Sequence, residues 1–182
     1  MSCSGKGGSR GRDRKHLNSV GYSRDIQEKI INILGGKCSR CGFEDRRTLH
    51  THHVFGGGAL ERKVLSARRY KLYNLIVKSR REGVSKYELL CANCHVIETF
   101  RNKIISPDWS IQRDYLISIL GGKCVRCFIT TNRVLQFDHI NGDGSILDSY
   151  EPREILRQIN QGLIQLLCAN CNWIKRAENK EY

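Results

Sequence analysis

The chain has 182 residues, with 31 Lys and Arg, 18 Asp and Glu, 9 cysteines and a formal charge of +13. No run approaches the roughly eighteen apolar residues of a membrane span, and the first residues lack the apolar core of a secretion signal. A membrane protein is set aside, an intracellular, reducing setting (cytoplasm or nucleoid) is expected, and the positive charge favours a polyanionic partner.

The charge is uneven. Residues 1–21 carry net +4, residues 22–106 net +9, and residues 107–182 nine charges of each sign. The same segments mark the expected organisation: a basic tail over 1–21, one module over 22–106 and a second over 107–182.

In chain order, residues 1–21 are rich in Gly, Ser and Arg with little to bury, so disorder is expected. A helix is predicted from about Ser23 to Leu34, with Ser23 as N-cap and Ile26, Ile30, Ile33 and Leu34 on one face. Gly35-Gly36 ends it, and Cys38-x-x-Cys41 follows. Arg46 to Val54 reads as a short hairpin containing His52-His53, with His50 a solvated strand residue. After Gly56-Gly57-Gly58, a helical stretch runs from about Leu60 to Arg81, with Val64, Leu65, Tyr73, Ile76 and Val77 able to face a core. Its Arg62, Lys63, Arg68, Arg69, Lys71, Lys78, Arg80 and Arg81 form a cationic surface suited to a nucleic-acid backbone. Cys91-x-x-Cys94-His95 then opens another helix.

The plan recurs. Pro107 to Leu120 is predicted helical, with Leu116, Ile119 and Leu120 as its core stripe and Gly121-Gly122 as its stop. Cys124-x-x-Cys127 follows, then a second hairpin candidate, Asn132 to Ile140. Here Val134, Gln136 and Asp138 alternate with Leu135, Phe137 and His139. A Gly-rich loop, a shorter helix from Pro152 to about Asn160, and Cys168-x-x-Cys171-Asn172 complete the copy. The front halves share an offset of 86 residues and the second cysteine pairs one of 77, so the first copy holds 9 extra residues inside. The fold class expected is α+β: two tandem small zinc-bound modules, each preceded by a helix.

Paired Cys-x-x-Cys knuckles supply the four soft ligands of tetrahedral Zn²⁺. Cys38, Cys41, Cys91 and Cys94 are assigned to one structural zinc, and Cys124, Cys127, Cys168 and Cys171 to another, with an iron–sulfur cluster as the alternative. Four thiolates leave no open position, so chemistry must come from other residues. The candidates are His52-His53 and Asp138-His139 at strand ends, and His95 and Asn172 at helix starts. Asp, His and Asn suit a loosely held Mg²⁺ or Mn²⁺, and a neighbouring His can deprotonate water for attack on a phosphodiester.

These motifs resemble the HNH, or ββα-metal (His-Me finger), endonucleases, in particular their zinc-stapled treble-clef subgroup, which includes homing and phage enzymes. FDHINGDG with LLCANCNWIKR carries the likeness in the second copy, and THHVFGGG with LLCANCH in the first. The resemblance implies His53 and His139 as general bases. It implies one or two catalytic ions, held by His52 with His95 and by Asp138 with Asn172. Lys175, with Arg176 beside it on the final helix, would meet a phosphate. Two departures stand out. Where the family has a middle Asn, this chain has Lys86 and Leu163, so a backbone carbonyl or Asn141 is left to orient the base. Glu98 occupies the first-copy position of Lys175.

The implied activity is metal-dependent hydrolysis of double-stranded DNA by a monomer acting as a pseudo-dimer. The alternatives are a zinc-dependent DNA-binding protein on a retired nuclease fold, and a nuclease selective for branched DNA.

Overall fold

The computed structural model describes residues 10–65, 69–101, 106–142 and 151–181, with the side chains of 10–20 and of 62 left out of the description. Among the described residues the architecture is mixed α+β, with seven α-helices and two two-stranded sheets. No described helix is long and apolar enough to cross a membrane. The chain forms two compact units, Met1–Gly36 with Thr51–Leu89, and Lys37–His50 with Leu90–Tyr182. These units cut across the repeats, because both cysteine pairs of the first copy belong with the whole second copy.

In the first unit, α1 (Arg10–Ile33) packs against α3 (Arg69–Arg81). Ile26, Ile30 and Ile76 form the centre, flanked by Ile33, Leu34, Leu72, Tyr73 and Tyr87. Helix α1 starts well inside the stretch expected to be disordered. No proline interrupts residues 10–33, and a helix already nucleated by packing extends at little cost. The disorder expected of residues 10–21 is thereby corrected, and residues 1–9 lie outside the described residues. The long stretch expected after the glycines is two helices, α2 (Gly58–Val64) and α3, with residues 66–68 outside the description. Val64, expected in a core, is 69% exposed.

The expected hairpins over 46–54 and 132–140 are not self-paired. Each begins with a one-turn 3₁₀ helix, Arg46–Thr48 or Asn132–Val134, and continues as a single strand, β1 (Leu49–His53) or β3 (Leu135–His139). Their partners are β2 (Tyr87–Cys91) and β4 (Ile164–Cys168), the segments running directly into the second cysteine pairs. The backbone groups of each segment therefore pair with a distant strand rather than with each other. Strands β3 and β4 are antiparallel, with Leu135 opposite Cys168 and His139 opposite Ile164.

In the second unit, α5 (Pro107–Ile119) is capped by Ser106, whose side chain accepts from the Trp109 N–H. It buries Leu116 and Ile117 and packs Leu120 on the core, as expected of Leu116 and Leu120, whereas Ile119 turns outward and Ile117 takes its place. Ile117, Val134, Leu135, Leu166 and Leu167 pack around Cys124, Cys168 and Cys171. Helix α6 (Pro152–Asn160) packs on α5 and β4.

Helices α4 (Ala92–Phe100) and α7 (Ala169–Glu178) start directly after the third cysteine of each copy and pack against each other. Each also packs against the other copy's 3₁₀ turn. At their contact Asn93 N donates to Asn170 Oδ1 at 2.9 Å, and Asn170 N donates to Asn93 Oδ1 at 3.0 Å. Asn93 and Asn170 are equivalent positions of the repeat, so the exchange is that of a local two-fold axis.

Candidate metal centres and paired histidines

Both knuckles are built alike. Cys38 N donates to Phe43 O and Gly42 N to Cys38 O, while Cys124 N donates to Ile129 O and Phe128 N to Cys124 O. Every partner is shifted by the repeat offset. The turn requires a left-handed residue, supplied by Gly42 at φ 75° and by Phe128 at φ 61°. In each set the four sulfurs lie within 4.8 Å of one another. Cys41 and Cys91 Sγ are 3.7 Å apart, and Cys127 and Cys168 Sγ 3.6 Å. Four ligands about 2.3 Å from a tetrahedral zinc stand about 3.8 Å from each other, so these sets could each hold structural zinc. Burial raises the Cys38 and Cys124 thiols, yet backbone N–H groups around each outweigh it and bring both down to about 7. Burial, together with the neighbouring sulfurs, pushes Cys94 and Cys171 up. Such a set surrenders some protons readily and the rest only to a cation.

The two histidines read as bases share a constraint. His53 Nε2 lies 2.8 Å from Glu61 Oε1, on α2. His139 Nε2 lies 2.9 Å from Gln158 Oε1, on α6. The second oxygen of Glu61 accepts from the Tyr87 hydroxyl at 2.7 Å. Gln158 in turn donates through Nε2 to Glu154 Oε1 at 2.8 Å, and Glu154 is held by Arg157. That chain orients the Gln158 carbonyl toward His139. A carboxylate or an amide oxygen can only accept, so both imidazoles carry their proton on Nε2 and present Nδ1 as the basic atom. Gly58 has a matching role. A Cβ there would stand 2.6 Å from His53 Nδ1, so glycine is what leaves that nitrogen uncovered.

Sequence reasoning missed Glu61 and Gln158, and the family's middle Asn has no equivalent needed beside them. The Nε2 atom of His139 is held by Gln158, rather than the ring being held by either partner expected for it, a backbone carbonyl or Asn141. The signal was not in the spacing, because Glu61 follows its histidine by 8 residues and Gln158 by 19.

Asp138 and His139 are both buried, at 8% and 7% exposure. Asp138 Oδ2 accepts from Lys175 Nζ at 2.7 Å and from Gln165 Nε2 at 2.8 Å. Lys175 Nζ also donates to the His139 carbonyl. Lys175 itself is only 3% exposed, so the phosphate contact expected of it has no exposed charge to make it. Arg176 is exposed, its guanidinium 5.2 Å from the centroid of the Trp173 ring. Asn172 Nδ2 donates to Gln136 Oε1 at 2.9 Å. Among the described residues, Asp138 Oδ1 and Asn172 Oδ1 take no hydrogen bond, and these hard oxygens suit Mg²⁺ or Mn²⁺.

In the first copy the ring facing His95 within its unit belongs to His50, with centroids 5.7 Å apart. His50 also meets the Trp173 ring at 4.6 Å. Its Nε2 is buried and has no hydrogen-bond partner among the described residues. Burial first, and His95 second, lower its pKa to about 4. The solvated strand residue expected at position 50 is thus a half-buried imidazole whose Nε2 is closed to solvent. His52 belongs to the other unit, with His53.

Of the cationic residues expected to face a polyanion, Lys63, Arg69, Lys78, Arg80 and Arg81 are exposed and Lys71 is half-buried. Lys78 lies 3.8 Å from Glu82. Arg68 lies outside the described residues, as does the side chain of Arg62. No protein-family model, curated protein or solved structure matches the chain.

Proposed function

We propose that the chain is a metal-dependent DNA endonuclease of the ββα-metal type, with one hydrolytic centre in each repeat and two structural zincs. The observation that carries this reading is the recurrent histidine. His53 and His139 end equivalent strands, and each has Nε2 tied to a side-chain oxygen so that Nδ1 is the base. A histidine needed only for packing has no use for the same tautomer twice, from two unrelated helices.

Nδ1 of His53 or His139 would take a proton from water as its oxygen bonds to phosphorus. The bond to the 3′ oxygen breaks on the opposite side, leaving 5′-phosphate and 3′-hydroxyl ends. Glu61 and Gln158 are positioning residues, and the Glu61 carboxylate also favours the imidazolium that forms. A divalent ion, when bound, would neutralise charge on the scissile phosphate and the departing oxygen. Asp138 and Asn172 would hold it in the second repeat. The Lys175 ammonium fixes Asp138, leaving Oδ1 for the ion. The partner would be double-stranded DNA, gripped by Lys63 and the cations of α3, and a monomer would serve both strands as a pseudo-dimer.

One observation favours a second reading, a non-catalytic zinc-dependent DNA-binding protein. Asp138 and His139 are nearly closed to solvent, and Lys175 already neutralises the carboxylate. Cleavage and binding measured side by side separate the two. Under the nuclease reading, His139→Ala and His53→Ala each lower cleavage at their own centre by about 10²–10⁴-fold while salt-dependent DNA binding persists. DNA binding without any Mn²⁺-dependent cleavage by the wild type would establish the second.

A further inference from the structure

A contact duplicated in both repeats has been filled with different chemistry. The position two residues into the strand faces the position after the last cysteine: Gln136 faces Asn172 in the second copy, and His50 faces His95 in the first. In the second copy the pair closes with an amide hydrogen bond of 2.9 Å. In the first copy two imidazoles meet, and His50 Nε2 is enclosed with no hydrogen-bond partner among the described residues. A buried polar atom left in that condition calls for an explanation, and an ion is one of the usual ones.

From this contrast we infer that His50 and His95 form a third metal site, selective for a borderline transition ion such as Zn²⁺, Ni²⁺ or Co²⁺. Imidazole nitrogen suits these ions and poorly suits Mg²⁺ or Ca²⁺, which require oxygen. The separation fits. With metal–nitrogen bonds of about 2.0–2.1 Å, two imidazoles on one tetrahedral ion have centroids about 5.2 Å apart, widening to about 5.5 Å at 120°. The observed 5.7 Å lies about 0.2–0.5 Å beyond that span. Trp173 walls one side of His50 at 4.6 Å, and Arg176 backs the indole. The site therefore lies under residues of the second repeat, and two protein ligands leave further positions for water or a substrate oxygen.

The site shares His95 with the pair that the family likeness implies but takes His50 rather than His52 as its second ligand, and it stands whether or not the chain cleaves DNA. If both hold, the first repeat uses a transition ion where the second uses a hard one.

The test uses the full, tag-free chain with both cysteine sets loaded with zinc, in a Trp109→Phe background, so that Trp173 is its one tryptophan. Ni²⁺ is titrated in, with bound nickel and zinc measured by equilibrium dialysis and elemental analysis, and Trp173 fluorescence followed in parallel. The expected result is one bound nickel per chain, zinc unchanged, and strong quenching of Trp173. His50→Gln and His95→Asn copy the second repeat's residues and so keep the fold. Each weakens nickel binding by at least roughly the ten- to hundred-fold that loss of an outer-shell partner alone can cause, and removes the quenching. Three results would overturn the site: no nickel bound by the zinc-loaded chain, equal binding by both variants, or binding that leaves Trp173 unquenched. In each case the buried Nε2 has another role, such as an N–H directed at the indole.

Discussion

The two repeats agree where metal is held and differ where chemistry would occur. Their first cysteine turns share the same two backbone hydrogen bonds, down to a left-handed residue at positions 42 and 128 that one copy fills with glycine and the other with phenylalanine. Beside the knuckles, His50 answers to Gln136, His52 to Asp138, His95 to Asn172 and Glu98 to Lys175. The orienting partner of the histidine is a carboxylate on α2 in one copy and an amide on α6 in the other. A tetrahedral thiolate site tolerates almost no change, because losing one ligand loses the metal. A residue pair on a strand and a helix can exchange imidazoles for amides, or reverse its charges, and keep the frame.

The largest effect expected is on the shared part. Apparent zinc affinities in structural sites correspond to about 10–16 kcal/mol, so a strong chelator should unfold the second unit, which holds both cysteine sets. Cys94→Ser and Cys171→Ser should each reduce bound zinc by one equivalent, measured by elemental analysis. Retention of both zincs in either variant would break the symmetry claimed for the knuckles.

Next come the parts that differ. Lys175→Met leaves Asp138 buried without its cation and should cost about 3–5 kcal/mol in denaturant unfolding, most of it recovered by adding Asp138→Asn. Glu98→Met in the first copy removes a half-buried carboxylate 3.6 Å from the exposed Arg101 and should cost under about 1 kcal/mol. Equal costs would mean that the two positions are not the contrast drawn here.

His50 provides a pH test. Its pKa is lowered from 6.5 to about 4, so the folded chain rejects a proton that the unfolded chain accepts. Stability is therefore unaffected above pH 6.5 and declines as pH falls toward 4, by about 3 kcal/mol at the end of that window. Subtracting the His50→Gln profile from the wild type, with zinc held saturating, isolates this term from thiolate protonation. A flat difference would mean that His50 is not enclosed.

The smallest effect returns to the knuckle. Phe128 sits at φ 61° with Lys123 5.5 Å from its ring, and Phe128→Gly should relieve backbone strain for a gain of up to about 1 kcal/mol. Gly42→Phe should do the reverse in the first copy. A loss on Phe128→Gly would assign more to the cation–π contact than to the backbone.

The cysteine sets were legible because ligand chemistry fixes residue type and spacing together. The helices Pro107–Ile119 and Pro152–Asn160 were legible through a proline at the first turn and a periodic face. The strands β2 and β4 were not, since YELLC and IQLLC read as short apolar runs and only pairing with β1 and β3 makes them strands. Glu61 and Gln158 could not be found by offset, because two different connections bring them to equivalent histidines. Lys175 was read as a phosphate contact from the family resemblance. Its burial against Asp138 depends on the packing of α7 on β3, which the sequence does not display.

The central claim is that each repeat contains one hydrolytic centre, and product topology on supercoiled DNA tests it most directly. Wild-type chain with Mn²⁺, on a plasmid pool carrying varied inserts, should yield linear molecules. His53→Ala and His139→Ala should each yield nicked circles, and the double variant neither. Intact plasmid with the wild type, or linear product from a single variant in undiminished yield, would contradict it.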